Sequence, residues 1–185
     1  SGKPYISIDY SFESLIASAL SDALSEKLVR FYKKKLREDL TAHDKIEFEI
    51  VYSCYDFTTA DKLECLTDAG FYIEECQELR RALRELTLRG IQTYFAVLER
   101  DERALERLED SRRHMQRKLR CQEENTSALL KYFTVLIDNI KQYGTPQFAR
   151  QARYAFIARA LCNSLVEKGY VSREEMSGFM QGIET

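Results

Sequence analysis

The stretch YGTPQFARQARY, residues 143–154, gathers the side chains of this sequence best suited to holding an anion. Thr145 can cap a helix, Pro146 fits the first helical position, and the N–H groups of a first turn point toward any anion bound there. Arg150 and Arg153, three residues apart, share a face one to two turns further on, and Tyr154 adds a hydroxyl beside them. Two readings stand. Thr145, Arg150, Arg153 and Tyr154 form an anion- or substrate-binding helix start, or the stretch is an ordinary cap followed by surface arginines paired with acidic neighbours.

A second candidate is CYDFTTADKL, residues 54–63, where Asp56 lies between Tyr55 and Phe57 at the end of an expected strand. Loops in that position often carry function, and Asp56 is equally suited to beginning a turn or capping the next helix. The five cysteines, Cys54, Cys65, Cys76, Cys121 and Cys162, are odd in number and include no CxxC pair. They read as reduced thiols packed as small hydrophobes, since neither His43 nor His114 sits in a nucleophile or zinc motif. There is no Walker A loop, GxGxxG, HExxH, GxSxG or kinase signature, so no active site can be assembled from spacing.

Composition bounds what these residues could serve. A chain of 185 residues can bury a sizeable core, and nine Pro plus Gly with 44% apolar residues favour an ordered, helix-rich domain. The 28 basic and 30 acidic side chains set up no global field that would attract nucleic acid or an anionic membrane. With no signal peptide and no apolar run near the roughly 20 residues of a membrane span, a soluble cytoplasmic protein is expected.

The elements that must position the candidates are mostly helical. KPYISIDYSF (residues 3–12) and KIEFEIVYSCYDF (residues 45–57) alternate apolar with polar residues over part of their length, which predicts two short strands. Between them SDALSEKLVRFYKKKLRED (residues 21–39) is an amphipathic helix with Leu24, Leu28, Phe31 and Leu36 as its stripe and Ser21 with Asp22 as its cap. Its run of Lys33, Lys34, Lys35 and Arg37 is a solvated face or a contact for an anionic partner.

Residues 58–71 predict a short helix ended by Gly70, and residues 73–101 a long one interrupted in propensity by Gly90. The stretch 102–120 is dense in charge. Leu98, Leu105, Leu108, Met115 and Leu119 form a narrow seam there, and Glu99 with Arg103 and Glu109 with Arg113 stand at i,i+4, so an arm of antiparallel helices is expected.

Leu129, Leu130, Phe133, Leu136, Ile137 and Ile140 give the next helix a broad apolar face that belongs in a core. The helix after it is expected to reach the core through Phe148, Ala152, Ala155, Ile157, Leu161 and Leu165. A last helix opens with the capping-box pattern of Ser172 and Glu175. The reading is one domain over 1–185, mostly α (α+β), with a small two-stranded β element and a protruding charged helical arm. It has a strand-helix-strand start over 1–57, helices with the arm over 58–120 and core helices over 121–185.

Three stretches, in order, also resemble a known family. GKPYISIDYSFESLI, then HDKIEFEIVYSCYDF with its following GF and ELRRALRELT, then QYGTPQFARQARYAFIARALCNSLVEKG are similar to the central region of phosphoenolpyruvate synthase-like proteins. These are PEP-utilising phosphotransferases related to pyruvate phosphate dikinase and rifampicin phosphotransferase. The resemblance covers most of the chain, is strongest in the last block and leaves the charged stretch around 99–120 unmatched.

The resemblance implies a segment excised from a multidomain parent that uses ATP and Mg. Its partners would be the nucleotide-binding and phosphohistidine domains of the same chain, with a small phosphorylated ligand as a further candidate. The segment itself carries neither the ATP loop nor the phosphohistidine motif, and His43 and His114 stand in no matching context, so no cofactor and no catalytic histidine are assigned to it. The expected role is a substrate-binding or spacer domain that is not catalytic alone, with contact from Arg150 and Arg153 to a phosphoryl group more strongly expected than from composition. The rival reading is a non-enzymatic helical interaction module; nucleic-acid binding is disfavoured by the near-zero net charge.

Overall fold

A computed structural model describes residues 7–120 and 126–183, and every regular element among them is helical. In chain order these are α1 (Ile8–Leu15), α2 (Asp22–Glu38), a 3-10 turn (Leu40–Asp44), a π turn (Ile46–Ile50), α3 (Thr59–Asp68), α4 (Ile73–Arg120), α5 (Thr126–Tyr143), α6 (Thr145–Glu167) and α7 (Arg173–Gln181). The chain divides into two compact units. Gly90–Ala155 makes one, the residues on either side of that stretch make the other, and α4 and α6 contribute to both. No described helix is long and apolar enough to cross a membrane.

The two expected strands are not present among the described residues, and each gives way for a physical reason. Residues 3–6 of the first lie outside the described residues. The rest of it enters α1, where Ser7 accepts from the N–H of Tyr10 at 3.5 Å. Helical spacing from Phe12 to Leu15 and Ile16 overrides the two-residue alternation: Phe12 is fully buried with Leu15 and Ile16 packed on the core, while Ile8 and Tyr10 are exposed.

The second candidate closes into the π turn through the Val51 N–H to the Ile46 carbonyl at 2.8 Å. Ile50 enters the core, and Phe48 meets Phe156 edge-on at 5.3 Å with the Arg159 guanidinium 4.7 Å from its ring centre. Among the described residues the segment that follows has no ladder partner. Its backbone donors go to side-chain oxygens instead: Tyr52 N–H to the Tyr32 hydroxyl at 3.3 Å, Tyr55 N–H to Thr87 Oγ1 at 2.8 Å, and Phe57 N–H to Ser164 Oγ at 3.3 Å. Hydroxyls on α2, α4 and α6 thus satisfy a buried loop that would otherwise need a sheet.

The core of this first unit forms around α2. Leu24, Leu28 and Tyr32 are essentially inaccessible, as are Phe12, Leu66, Leu79 and Leu83, so α1, α3 and the start of α4 pack onto the expected stripe. Phe31 meets Phe71 edge-on at 5.6 Å, and Tyr32 meets Tyr52 at 5.9 Å. α3 ends as its sequence predicts. Gly70 takes φ of +88°, which lets Phe71 N–H reach the Leu66 carbonyl and Gly70 N–H the Thr67 carbonyl, a Schellman closure that most L side chains resist. Ser172 and Glu175 form the expected capping box of α7.

In the second unit α4 continues through Gly90 without a break. It pairs with the chain from α5 into α6: Tyr94 meets Tyr154, Asp101 meets Arg150, Leu108 lies beside Gly144, and Ser111 bonds Asn139. Partner numbers fall as α4 numbers rise, so the pairing is antiparallel. The pairs Arg103–Glu99 and Arg113–Glu109 form as expected along the α4 surface.

The expectation that α5 lies in the core is not met. None of its described residues is buried; Leu130 and Phe133 are 63% and 62% exposed, and Leu129 and Ile140 are also exposed. The half-buried positions Ala128, Tyr132, Leu136, Asn139 and Tyr143 form a neighbouring arc, and the bond from Asn139 to Ser111 holds that arc inward. Phe148, expected in the core, is 76% exposed, and Ala155 is exposed too, whereas Ile157 is buried.

The hydroxyl bracket makes a testable prediction. Thr87→Val and Ser164→Ala each leave one loop N–H without its acceptor, which should cost about 1–3 kcal/mol of stability in urea unfolding. Amide exchange at Tyr55 should speed up in Thr87→Val and at Phe57 in Ser164→Ala. A change under about 0.5 kcal/mol with unchanged exchange would mean that the hydroxyls are incidental.

Candidate functional site

An anion site at the start of α6 needs free N–H groups and an uncompensated positive helix end. Thr145 is the first residue of α6, but only Gly144 separates it from α5. Gly144 N–H donates to the Ile140 carbonyl at 2.9 Å, and Phe148 N–H donates to the Gly144 carbonyl at 3.0 Å. Helical hydrogen bonding therefore passes almost unbroken from α5 into α6. Pro146 has no N–H, and the negative C-terminal end of α5 abuts the start of α6, so little of the usual attraction for an anion is left.

The junction is also tight. A Cβ on Gly144 would lie 3.0 Å from the Ile140 carbonyl oxygen and 3.3 Å from Leu108 Cδ2, so only glycine fits without a shift. Gln147 just beyond is buried. Its amide nitrogen reaches the Gln142 carbonyl at 3.4 Å, and its Oε1 has no donor among the described residues.

The arginines are positioned by packing. Asp101 of α4 has a side chain only 2% exposed, and Arg150 grips it with Nε at 3.1 and 3.2 Å from the two oxygens and Nη2 at 2.5 Å from Oδ1. Gln151 Nε2 adds a bond to Oδ2 at 3.0 Å. Arg150 therefore neutralises a buried carboxylate, and its hydrogen bonds hold the Asp101 carboxyl below the usual carboxylate range. Arg153 is half-buried, and burial lowers its guanidinium pKa. The Tyr154 ring stands edge-on to Tyr94 at 5.1 Å. Thr145, Arg150, Arg153 and Tyr154 thus lie along one helix, with Arg150 and Tyr154 engaged across the antiparallel pair.

The second candidate, Asp56, sits in the first unit beside a polar cleft of about 80 Å³ that Thr58, Lys62, Asn163 and Glu167 help to line. Asp56 Oδ1 accepts from Thr58 N–H at 3.0 Å, Thr58 Oγ1 at 2.9 Å and Thr59 Oγ1 at 3.2 Å, and Oδ2 pairs with Lys62. A carboxylate engaged by this many donors anchors the turn that leads into α3. With Thr58 as the N-cap of α3 and Asp56 accepting from the Thr58 N–H two residues on, beginning a turn is the reading this geometry fits.

Cys54 next to it is buried. Desolvation first, and the Asp56 charge second, push its thiol up to about 11, so it is not a thiolate at neutral pH. Sequence reasoning missed Thr87 and Ser164; a hydroxyl at an inward position of an apolar helix stripe was the signal available. His43 contacts only its neighbours, the Leu40 carbonyl and Asp44, and His114 lies exposed on α4. Among the described residues no group of three or more His, Cys, Asp or Glu side chains could hold a metal ion. The chain matches no family model, no curated protein and no solved structure.

Asp101 sets the prediction. Its folded pKa is depressed, so its contribution is present above the unfolded carboxylate pKa near 4 and is lost as pH falls through the folded value. Asp101→Asn should lose about 2–4 kcal/mol near neutral pH, toward the lower figure because Arg150 can still reach water. Urea unfolding across pH should show the gap to wild type closing below about pH 4; a gap that is constant with pH would remove the charge from the account.

Proposed function

We propose that the chain is a non-catalytic spacer and docking domain of a PEP synthase-like phosphotransferase. In this reading α5 is covered by the nucleotide-binding or phosphohistidine domain of the same parent chain. One observation carries it: the apolar arc of Leu129, Leu130, Phe133 and Ile140, more than two-fifths exposed at each residue, on a helix whose composition suits a core. Covering a half-exposed side chain of this size contributes on the order of 1 kcal/mol, so the arc is a docking surface of useful strength. The family resemblance of the three sequence blocks supports the choice of occupant.

The spacer role is preferred over direct substrate binding because of Arg150. Turning it toward a phosphoryl group would leave the buried Asp101 charge unpaired, a penalty of about 3 kcal/mol. ATP and Mg belong, in this reading, to the neighbouring domains. The helical interaction module remains the rival, since the same arc would serve a separate partner protein equally well.

Two measurements test the proposal. Calorimetric titration with phosphoenolpyruvate, pyruvate, phosphate and ATP should give no saturable binding; saturable binding abolished by Arg150→Ala or Arg153→Ala would replace the spacer with an acceptor or donor site. The double variant Leu130→Asp, Phe133→Asp should keep the wild-type urea midpoint within the small range of a surface change. It should lose dye binding. A stability loss above about 2 kcal/mol would place the arc in this chain's own core.

A further inference from the structure

We propose that the chain pairs with a second copy of itself through one exposed face of α4, the two helices running antiparallel. Arg80 and Arg84 open this face, Leu88, Ile91, Phe95 and Leu98 form its middle, and Glu102 and Glu106 close it. At about 100° per residue these positions fall within an arc of roughly 80°, so they share one side of the helix. Their intervals of 4, 4, 3, 4, 3, 4 and 4 residues read the same from either end. The middle is open to solvent: Leu88, Ile91 and Phe95 are 45%, 59% and 80% exposed, and Leu98 is half-buried. The face belongs to α4 alone and is separate from the α5 arc, so the inference goes beyond the docking role proposed for that arc and does not rest on it.

Charge selects the occupant. Arg80 and Arg84 stand four residues apart, as do Glu102 and Glu106, so each end of the face sets two like charges beside each other at a cost to the isolated helix. All four are exposed, and none has an ion-pair partner among the described residues. The strain is relieved only by a surface that is acidic over the arginines, apolar in the middle and basic over the glutamates. The same face, turned end for end, is such a surface.

Direction follows from the same charges. A parallel copy would lay arginine against arginine and glutamate against glutamate, which repels. An antiparallel copy, related by a two-fold axis near residue 93, sets Arg84 against Glu102 and Arg80 against Glu106 of the other copy, at both ends at once. Ile91 then faces Phe95, and Leu88 faces Leu98. Each residue meets a complementary one and the relation is reciprocal, which is the condition for a two-fold interface. The seam from Arg80 to Glu106 runs roughly 39 Å at the helical rise, with its apolar residues spaced as in a coiled coil.

Sedimentation equilibrium on the whole 185-residue chain, from about 1 to about 100 μM, tests this. A monomer–dimer equilibrium is expected. Arg80→Glu, Arg84→Glu makes both ends of the face acidic and should weaken the dimer at least tenfold. Adding Glu102→Arg and Glu106→Arg to that variant restores opposite ends and should restore the dimer, a rescue that damage to the fold would not give. Phe95→Asp, at the most exposed apolar position of the face, should also dissociate it, with a circular-dichroism melt matching wild type. The Leu130→Asp, Phe133→Asp chain should keep the dimer. A monomer throughout the range, a dimer unchanged by Arg80→Glu, Arg84→Glu or by Phe95→Asp, failure of the fourfold reversal to restore pairing, or loss of the dimer in the α5 variant would each overturn the proposal.

Discussion

A carboxylate removed from water must have a partner, and the pairing of Asp101 with Arg150 and Gln151 is the constraint on which the second unit depends. Once Arg150 is drawn to Asp101, the antiparallel register of α4 against α5 and α6 follows. Ser111 then falls on Asn139, Tyr94 on Tyr154, and Leu108 so close to residue 144 that a glycine is needed there. A hydrophobic seam alone would tolerate a slip of one turn; a buried bidentate ion pair does not, because slipping would strand the charge. The pair therefore contributes specificity of register more than net stability.

The bond of Asn139 to Ser111 marks which face of α5 is left outside. With Asn139 held on Ser111, the helix turns its Tyr132, Leu136 and Tyr143 arc inward, and the more apolar arc beside it stays exposed. Helix periodicity in the sequence grouped six apolar residues into one inward face, but only Leu136 and Ile137 of them are half-buried while Leu129, Leu130, Phe133 and Ile140 are exposed, because a hydrophobic-face argument assumes that the most apolar face finds a partner within the same chain. The interaction that overrode it joins residues 28 apart in sequence, a distance at which no local pattern reports.

The long helices, the Gly70 stop, the α7 capping box and the i,i+4 pairs on α4 were legible because each depends on residues within one or two turns of one another. The strands were misread for the opposite reason. Alternation over Ile46 to Ile50 is compatible with a strand, but a strand exists only when a second backbone lies beside it. Here Tyr32, Thr87 and Ser164 supply the acceptors, from three helices scattered along the chain. Of the site residues, the helix start at Thr145 and the spacing of Arg150 and Arg153 were readable, whereas the acid that engages Arg150 was hidden among many in a charged stretch.

The distribution of unpaired groups carries the functional argument further than any single motif. Asp56 and Asp101, the two buried aspartates, are saturated by donors and so contribute shape rather than chemistry. The apolar arc on α5, by contrast, lies at the surface, on a helix none of whose described residues is buried. Groups already satisfied internally have no free energy left to give a ligand, while half-exposed leucines and unpaired carboxylates gain on being covered. Among the exposed surfaces, the α5 arc is where covering apolar side chains would contribute most.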